Sequence, residues 1–234
     1  MEAIMFFNNS CTNLNNKKMF TFRSNNSPNN GQDKIVSFLK ANNIDALRII
    51  NNNLYSGSTL ENLDNDQFIK LKTLGIKSIV DLRQNADQNY VKKCNNAKIE
   101  YFKFPLDFIF NQGRSDIFVG KNRAMVNDSF IDKLKKFLCI TKDGNMYMGC
   151  QQGLDRTNFA IILTYLFNFN PNNKTPQILS SDIGTKRTLL NRDLDLIRKI
   201  IKKMTIEQKM QLNISENFNE ILLERIKNLV LRNR

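Results

Sequence analysis

Residues 146–167 read MYMGCQQGLDRTNFAIILTYLF. Apolar residues dominate 146–150 and again 159–167, with a polar loop between them. The first run has the length of a buried strand, and the second is long enough for a helix that is apolar nearly all round. A turn from strand to helix directs several backbone N–H groups into one concavity, and the helix N-terminus adds partial positive charge there. The amides of Gln151, Gln152, Gly153 and Leu154, continuing to Arg156, are therefore expected to cup a phosphate. Gly153 supplies the backbone freedom or close approach that such a cup demands. The guanidinium of Arg156 can hold two phosphate oxygens at once, which lysine cannot do. The same positive surroundings favour the thiolate form of Cys150, placed for in-line attack on phosphorus. Thr157 is positioned to donate its hydroxyl to the sulfur and ease its departure in a second step. Arg156 and the amides neutralise charge on the transferred group, so neither metal nor other cofactor is expected.

Outward from the loop, residues 65–83 read NDQFIKLKTLGIKSIVDLR. Phe68, Leu71 and Leu74 mark one helical face, Gly75 stands where a helix ends, and IKSIVDL follows as a strand. IEYFKFPLD (99–107) reads as a second strand stopped at Pro105, and SFIDKLKKFLCIT (129–141) has helical spacing. ALRIINNNLYSGS (46–58) reads as extended chain entering a polar turn. Strands alternating with helices predict an α/β fold. The expected architecture is a central mixed sheet flanked by helices, with the phosphate loop between a strand and a helix and a helical C-terminal part.

The chain has 234 residues and a formal net charge of +13, a field that favours anionic partners. No apolar run approaches the roughly 18–20 residues of a membrane span. The N-terminus lacks the basic and apolar regions of a secretory signal, so a cytoplasmic protein is expected, or a bacterial effector exported without a cleavable signal. The four cysteines, Cys11, Cys94, Cys139 and Cys150, form no CxxC pair, and the chain has no histidine, so a zinc site is not expected. The organisation expected is an Asn-rich flexible arm over 1–32, a catalytic domain over 33–205, and a helical extension over 206–234 packed on it. Leu196, Ile197, Ile200, Ile201 and Met204 share one helical face, as do Leu222, Ile226, Leu229 and Val230. Both faces are read as packed on the domain, the alternative being a basic amphipathic helix on an acidic membrane surface.

Strand–CxxGxxRT–helix resembles the signature of the protein tyrosine phosphatase superfamily of cysteine-dependent phosphatases. The likeness extends beyond the loop. LYSGSTLENLDNDQFIKLKTLGIKSIVDLR (54–83) is similar to the opening segment of its compact, dual-specificity-like members, and YFKFPLD (101–107) to their next strand. The resemblance implies phosphomonoester hydrolysis without a cofactor, with Cys150 as nucleophile, Arg156 as phosphate ligand and Thr157 assisting thiolate departure. Members usually carry histidine before the nucleophile, where this chain has Gly149. The LDRTN and CxxGxDRT patterns also resemble Sac-type and myotubularin phosphoinositide phosphatases, although the loop has no lysine to grip extra phosphates. The loops of RNA 5′-phosphatases are similar as well.

A leaving alkoxide or phenolate needs a proton. Asp107, followed by the apolar Phe108, Ile109 and Phe110, is the first candidate acid, because burial would raise its pKa. Asp155, inside the loop, is the rival, and Asp116 a third. Lys186, Arg187 and Arg192 are candidates for the rim of the site and a second phosphate. Asp81 and Arg83 read as a structural pair at a strand end. The expected partner is a phosphorylated protein or an inositol phosphate, free or in lipid; nucleic acid is not expected. The alternatives are an inactive phosphate-binding module and an RNA 5′-phosphatase.

Overall fold

The computed structural model describes residues 30–51, 53–85, 87–106, 128–168, 197–212 and 214. The N-terminal arm, all but its last residues, and the apolar face from Leu222 to Val230 lie outside them. In chain order the elements are α1 (Asn30–Ala41), β1 (Arg48–Asn51), β2 (Leu54–Ser58), α2 (Asn65–Thr73), β3 (Ser78–Asp81) and α3 (Gln88–Asn96). They continue with β4 (Glu100–Lys103), α4 (Asp128–Asp143), β5 (Met146–Cys150) and α5 (Asp155–Asn168). Residues 197–203 form a further helix, α6, and Ile206–Gln211 form α7.

The strands make one sheet in the order β1-β2-β5-β3-β4. β2, β5, β3 and β4 are mutually parallel, while β1 runs antiparallel to β2. The sheet is therefore mixed, as the sequence predicts. β5 is its central strand, so the loop that follows it leaves from the middle of the sheet's C-terminal edge.

Strand alternation divides the core into two. Leu54, Val80, Phe102, Met146, Met148 and Cys150 face one side, against Phe137, Phe159 and Ile162 of α4 and α5. Tyr55, Ile79 and Tyr147 face the other, against Leu39, Phe68, Leu71, Tyr90 and Cys94 of α1, α2 and α3. Local chemistry sets the ends of α2. Asp64 and Gln67 form a reciprocal capping box, with hydrogen bonds of 2.8 and 2.7 Å. Gly75 lies just beyond the helix at φ +108, a left-handed backbone that turns the chain into β3.

One reading of the sequence is corrected. The extended chain read over 46–58 is two strands, and its polar end SGS is not a turn but completes β2, an inner strand whose five residues are all buried. Small residues are required there. A Cβ at Gly57 would lie 2.5 Å from the Tyr147 hydroxyl and 2.9 Å from the Asp45 carbonyl. Periodicity does not register a strand whose faces must be empty rather than apolar.

At the C-terminal end, Ile197, Ile200, Ile201, Met204 and Ile214 are buried in the core beside α4 and α5, with Lys199, Lys202 and Lys203 exposed. This apolar face is packed on the domain. The Gln208 amide donates to Asp128 Oδ1 at 2.9 Å, tying α7 to α4. Among the described residues no helix is long and apolar enough to cross a membrane.

The second core half predicts a pH dependence. Burial pushes the Cys94 thiol from 9.0 up to about 12, and raises Tyr55, Tyr90, Tyr101 and Tyr147 above the ordinary 10.0. These groups stay neutral in the fold at pH values where the unfolded chain ionises. Their contribution to stability is complete below about pH 9 and is lost progressively as pH rises towards 12. Tm measured across pH 8–11 is expected to fall, and Cys94→Ala is expected to flatten the first part of the decline.

Candidate active site

β5 ends at Cys150, which pairs with Ser58 of β2 and is 3% exposed. α5 begins at Asp155, and the N–H of Asn158 donates to the Leu154 carbonyl at 2.7 Å to close its first turn. That turn brings Thr157 back over the strand end. Its hydroxyl donates to Cys150 Sγ at 3.2 Å, inside the buried floor of the loop. Arg156, the second residue of α5, is partly buried at the same helix start. Gln151, Gln152 and Leu154 are exposed along the loop. Among the described residues, the N–H groups of Gln152, Gly153 and Leu154 make no hydrogen bond. The loop thus presents unpaired amide donors beside a buried thiol, the arrangement of an anion nest.

Gly153 is required twice over. Its φ of +69 is left-handed. A Cβ there would run into Gly57 C, lie 2.6 Å from Ser58 N and 2.7 Å from Gly57 O, all backbone atoms of β2. The loop rests directly on the main chain of the neighbouring strand, which is why β2 carries glycine and serine.

Gly149 has an equally concrete reason. A Cβ at this position would lie 2.9 Å from Ser58 O, 3.1 Å from Gly57 O and 3.1 Å from Tyr147 Cε1. Tyr147, two residues earlier on the same strand face, is fully buried, and its hydroxyl donates to Ser58 O at 2.6 Å. The phenol fills the space beside the strand before the nucleophile. Burial and the neighbouring Cys150 raise the Tyr147 pKa well above its usual value, while Arg48 acts in the opposite direction. Tyr147 therefore remains a neutral donor.

On one flank of the loop, Arg83 is held by Asp81 through contacts of 3.0 and 2.8 Å and by Glu61 at 2.5 Å. Burial alone would lower the pKa of its guanidinium; hydrogen bonds and charge interaction with Asp81 and Glu61 outweigh this and raise it. Arg83 also donates to Gln151 Oε1 at 3.3 Å, and Tyr101 donates to Asp81 at 3.1 Å. The Asp81–Arg83 pair is as the sequence suggests, and it also grips the loop. On another flank Arg48, buried at the start of β1, donates from Nη1 to the Gly153 carbonyl at 2.7 Å.

The structure brings together Cys150, Gln151, Gln152, Gly153, Leu154, Arg156 and Thr157 in one strand–loop–helix unit. Asp155 is the first residue of α5. Asp107, Asp116, Lys186, Arg187 and Arg192 lie outside the described residues. Arg48, Tyr147 and the close fit at Gly57 escape sequence reading. The available signals are weak ones: a lone arginine in the apolar run LRII, and glycines on two strands that prove to be neighbours. Among the described residues no three His, Cys, Asp or Glu side chains converge as a metal site.

A model of the tyrosine phosphatase family matches residues 41–168, which include every strand among the described residues and the whole loop. No curated protein sequence matches the chain. Among solved structures, it is similar to a DUF442 protein of Shewanella putrefaciens CN-32, at 15% identity and TM-score 0.44, covering 70% of this chain and 98% of that one. TpbA of P. aeruginosa is similar at 13% identity and TM-score 0.42, over 69% of this chain and 89% of that one. The core catalytic domain of the PP-IP phosphatase SIW14 from S. cerevisiae is similar at 13% identity and TM-score 0.36, over 78% and 93% respectively.

Proposed function

The chain belongs to the tyrosine phosphatase family as a cysteine-dependent phosphatase, and from that premise we propose that it hydrolyses aryl phosphomonoesters of the phosphotyrosine type through a cysteinyl-phosphate intermediate on Cys150. The observation that carries this reading is the Thr157 hydroxyl donating to Cys150 Sγ at 3.2 Å beside loop amides that have no partner among the described residues. In the first step the Cys150 thiolate attacks phosphorus. The S–P bond forms, the bridging P–O bond breaks, and the leaving oxygen takes a proton from a carboxylic acid. Asp107 is the first choice for that acid and Asp155 the second. The loop amides and Arg156 stabilise the charge on the equatorial oxygens. In the second step water attacks phosphorus and gives its proton to the carboxylate left by the first step, the S–P bond breaks, phosphate is released, and the Thr157 hydrogen bond stabilises the departing thiolate. Lys186, Arg187 and Arg192 remain proposed rim cations.

An aryl phosphate is favoured by the loop's side chains. Gln151 and Gln152 are neutral, and Leu154 is 44% exposed, an apolar surface next to the anion cup that suits a ring better than a second phosphate. The second reading, an inositol phosphate free or in lipid, is supported by the LDRTN loop and the net charge of +13. Phosphate release from phosphotyrosine peptides, phosphoinositides, soluble inositol phosphates and RNA 5′-triphosphate separates these. The peptide is expected to give the highest kcat/KM, and a preference for inositol phosphates overturns the aryl assignment. In the same assay Asp107→Asn is expected to lose most rate on poor leaving groups. If Asp155→Asn does so instead, the acid is Asp155.

A further inference from the structure

The phosphate loop has to resolve a choice at each of its peptides. Each peptide carries a donor and an acceptor pointing in opposite directions. A cup for a dianion needs the N–H inward and the carbonyl outward. Glycine makes this choice least secure at residue 153, because it resists neither orientation.

β1 supplies what glycine cannot. Because β1 is antiparallel to β2, its first residue lies at the same edge of the sheet as the loop; Arg48 pairs with Ser56, two residues before the end of β2. Arg48 is 7% exposed, and its Nη1 donates to the Gly153 carbonyl at 2.7 Å. This is a buried, charge-assisted bond, of the stronger kind. With the carbonyl held towards Arg48, the N–H of the same peptide, that of Leu154, points the other way. That N–H has no hydrogen-bond partner among the described residues.

We propose that Arg48 is a positioning residue of the phosphate loop, its guanidinium fixing the Gly153–Leu154 peptide so that the Leu154 N–H faces the bound phosphate. The reversed peptide would be penalised from both sides. It would aim an N–H at the buried guanidinium and a carbonyl oxygen at the phosphate. Because Gly153 rests on the backbone of Gly57 and Ser58, the peptide cannot evade the choice by moving away. Arg48 thus acts through the loop, without touching the substrate. The role rests on the phosphatase reading above and adds to it a residue 105 positions away in sequence from the carbonyl it holds.

The test uses the full chain and vanadate, with an aryl phosphate as reporter substrate. Arg48→Met is expected to raise the vanadate Ki and the phosphate Ki by about 10–100-fold, the scale of losing one buried hydrogen bond to a charged group. Arg48→Lys, which keeps the charge but not the fork, is expected to fall between. An unchanged Ki in Arg48→Met, whatever happens to its Tm, overturns the proposal, because a merely structural residue lowers Tm without weakening the anion. A measurement on the unmodified protein stands even if that variant does not fold. With ¹⁵N-leucine labelling, the Leu154 amide is expected to shift and to exchange more slowly on saturation with vanadate. An amide that vanadate leaves unmoved overturns the proposal. A wild-type protein that vanadate does not inhibit overturns the phosphatase reading itself, so the two failures are distinct.

Discussion

Cys150→Ser is expected to abolish turnover of an aryl phosphate, by at least about 10⁴-fold, the scale on which removal of a covalent nucleophile is felt. Binding of the phosphate ester is expected to persist. The serine hydroxyl is nearly isosteric with the thiol, and Thr157 can still donate to it across the 3.2 Å it now spans to Sγ. What is lost is nucleophilicity, because a hydroxyl is not ionised at neutral pH and no histidine exists in the chain to activate it. The amide cup, Gly153 and Arg48 are untouched by the change. Isothermal titration of a phosphopeptide against the variant, beside a single-turnover assay, checks both halves. Turnover near the wild-type level would remove Cys150 as the nucleophile. Loss of binding together with turnover would mean that the thiol shapes the loop as well as reacting.

Gly149→His introduces the histidine that the family resemblance leads one to expect before the nucleophile, and it is expected to damage the protein rather than improve it. The new Cβ would lie 2.9 Å from Ser58 O and 3.1 Å from Gly57 O, both backbone atoms of a strand locked to β5 by its ladder. The imidazole would also have to displace Tyr147, whose Cε1 lies 3.1 Å from the same Cβ position. Overpacking of this kind costs about 1–3 kcal/mol. Leaving the Ser58 carbonyl without its buried phenol donor adds about 1–3 kcal/mol more. For a chain of this size the sum corresponds to a fall in Tm of roughly 5–20 °C. kcat/KM is expected to fall as well, because Ser58 and Gly57 form the surface on which Gly153 rests. Differential scanning calorimetry and a kinetic assay of the purified variant provide the check. A variant as stable as wild type and more active would show that the Tyr147 arrangement is dispensable.

The two glycines illustrate where sequence reading succeeds and where it stops. At Gly153 the requirement is visible locally, since a phosphate loop needs a left-handed or closely approached residue there, and the structure gives both. At Gly149 the sequence offers only an absence, a missing histidine. What fills the space there is Tyr147, against the backbone of Gly57 and Ser58, and the end of β2 reads as a polar turn because SGS has neither apolar residues nor alternation. β3, β4, β5, α2 and α4 were legible because their apolar residues follow the periods of strand and helix, whereas α3, with only Tyr90 and Cys94 buried, leaves too little of an apolar face to be read. The same reasoning explains Arg48. A single arginine in an edge strand reads as an exposed charge until the antiparallel pairing of β1 with β2 carries it to the loop.

By itself, then, the sequence determined the chemistry. Cys150, Gly153, Arg156 and Thr157 lie within one short segment of the chain, and a strand followed directly by a helix is enough to gather them, because the geometry that brings them together is local. The tertiary structure alone decided how that loop is held. The bonds that hold it, from Arg48 to Gly153 and from Tyr147 to Ser58, span 105 and 89 residues. Such partners are chosen by strand order and register, which bring distant backbone groups within hydrogen-bond reach and leave no trace in local spacing.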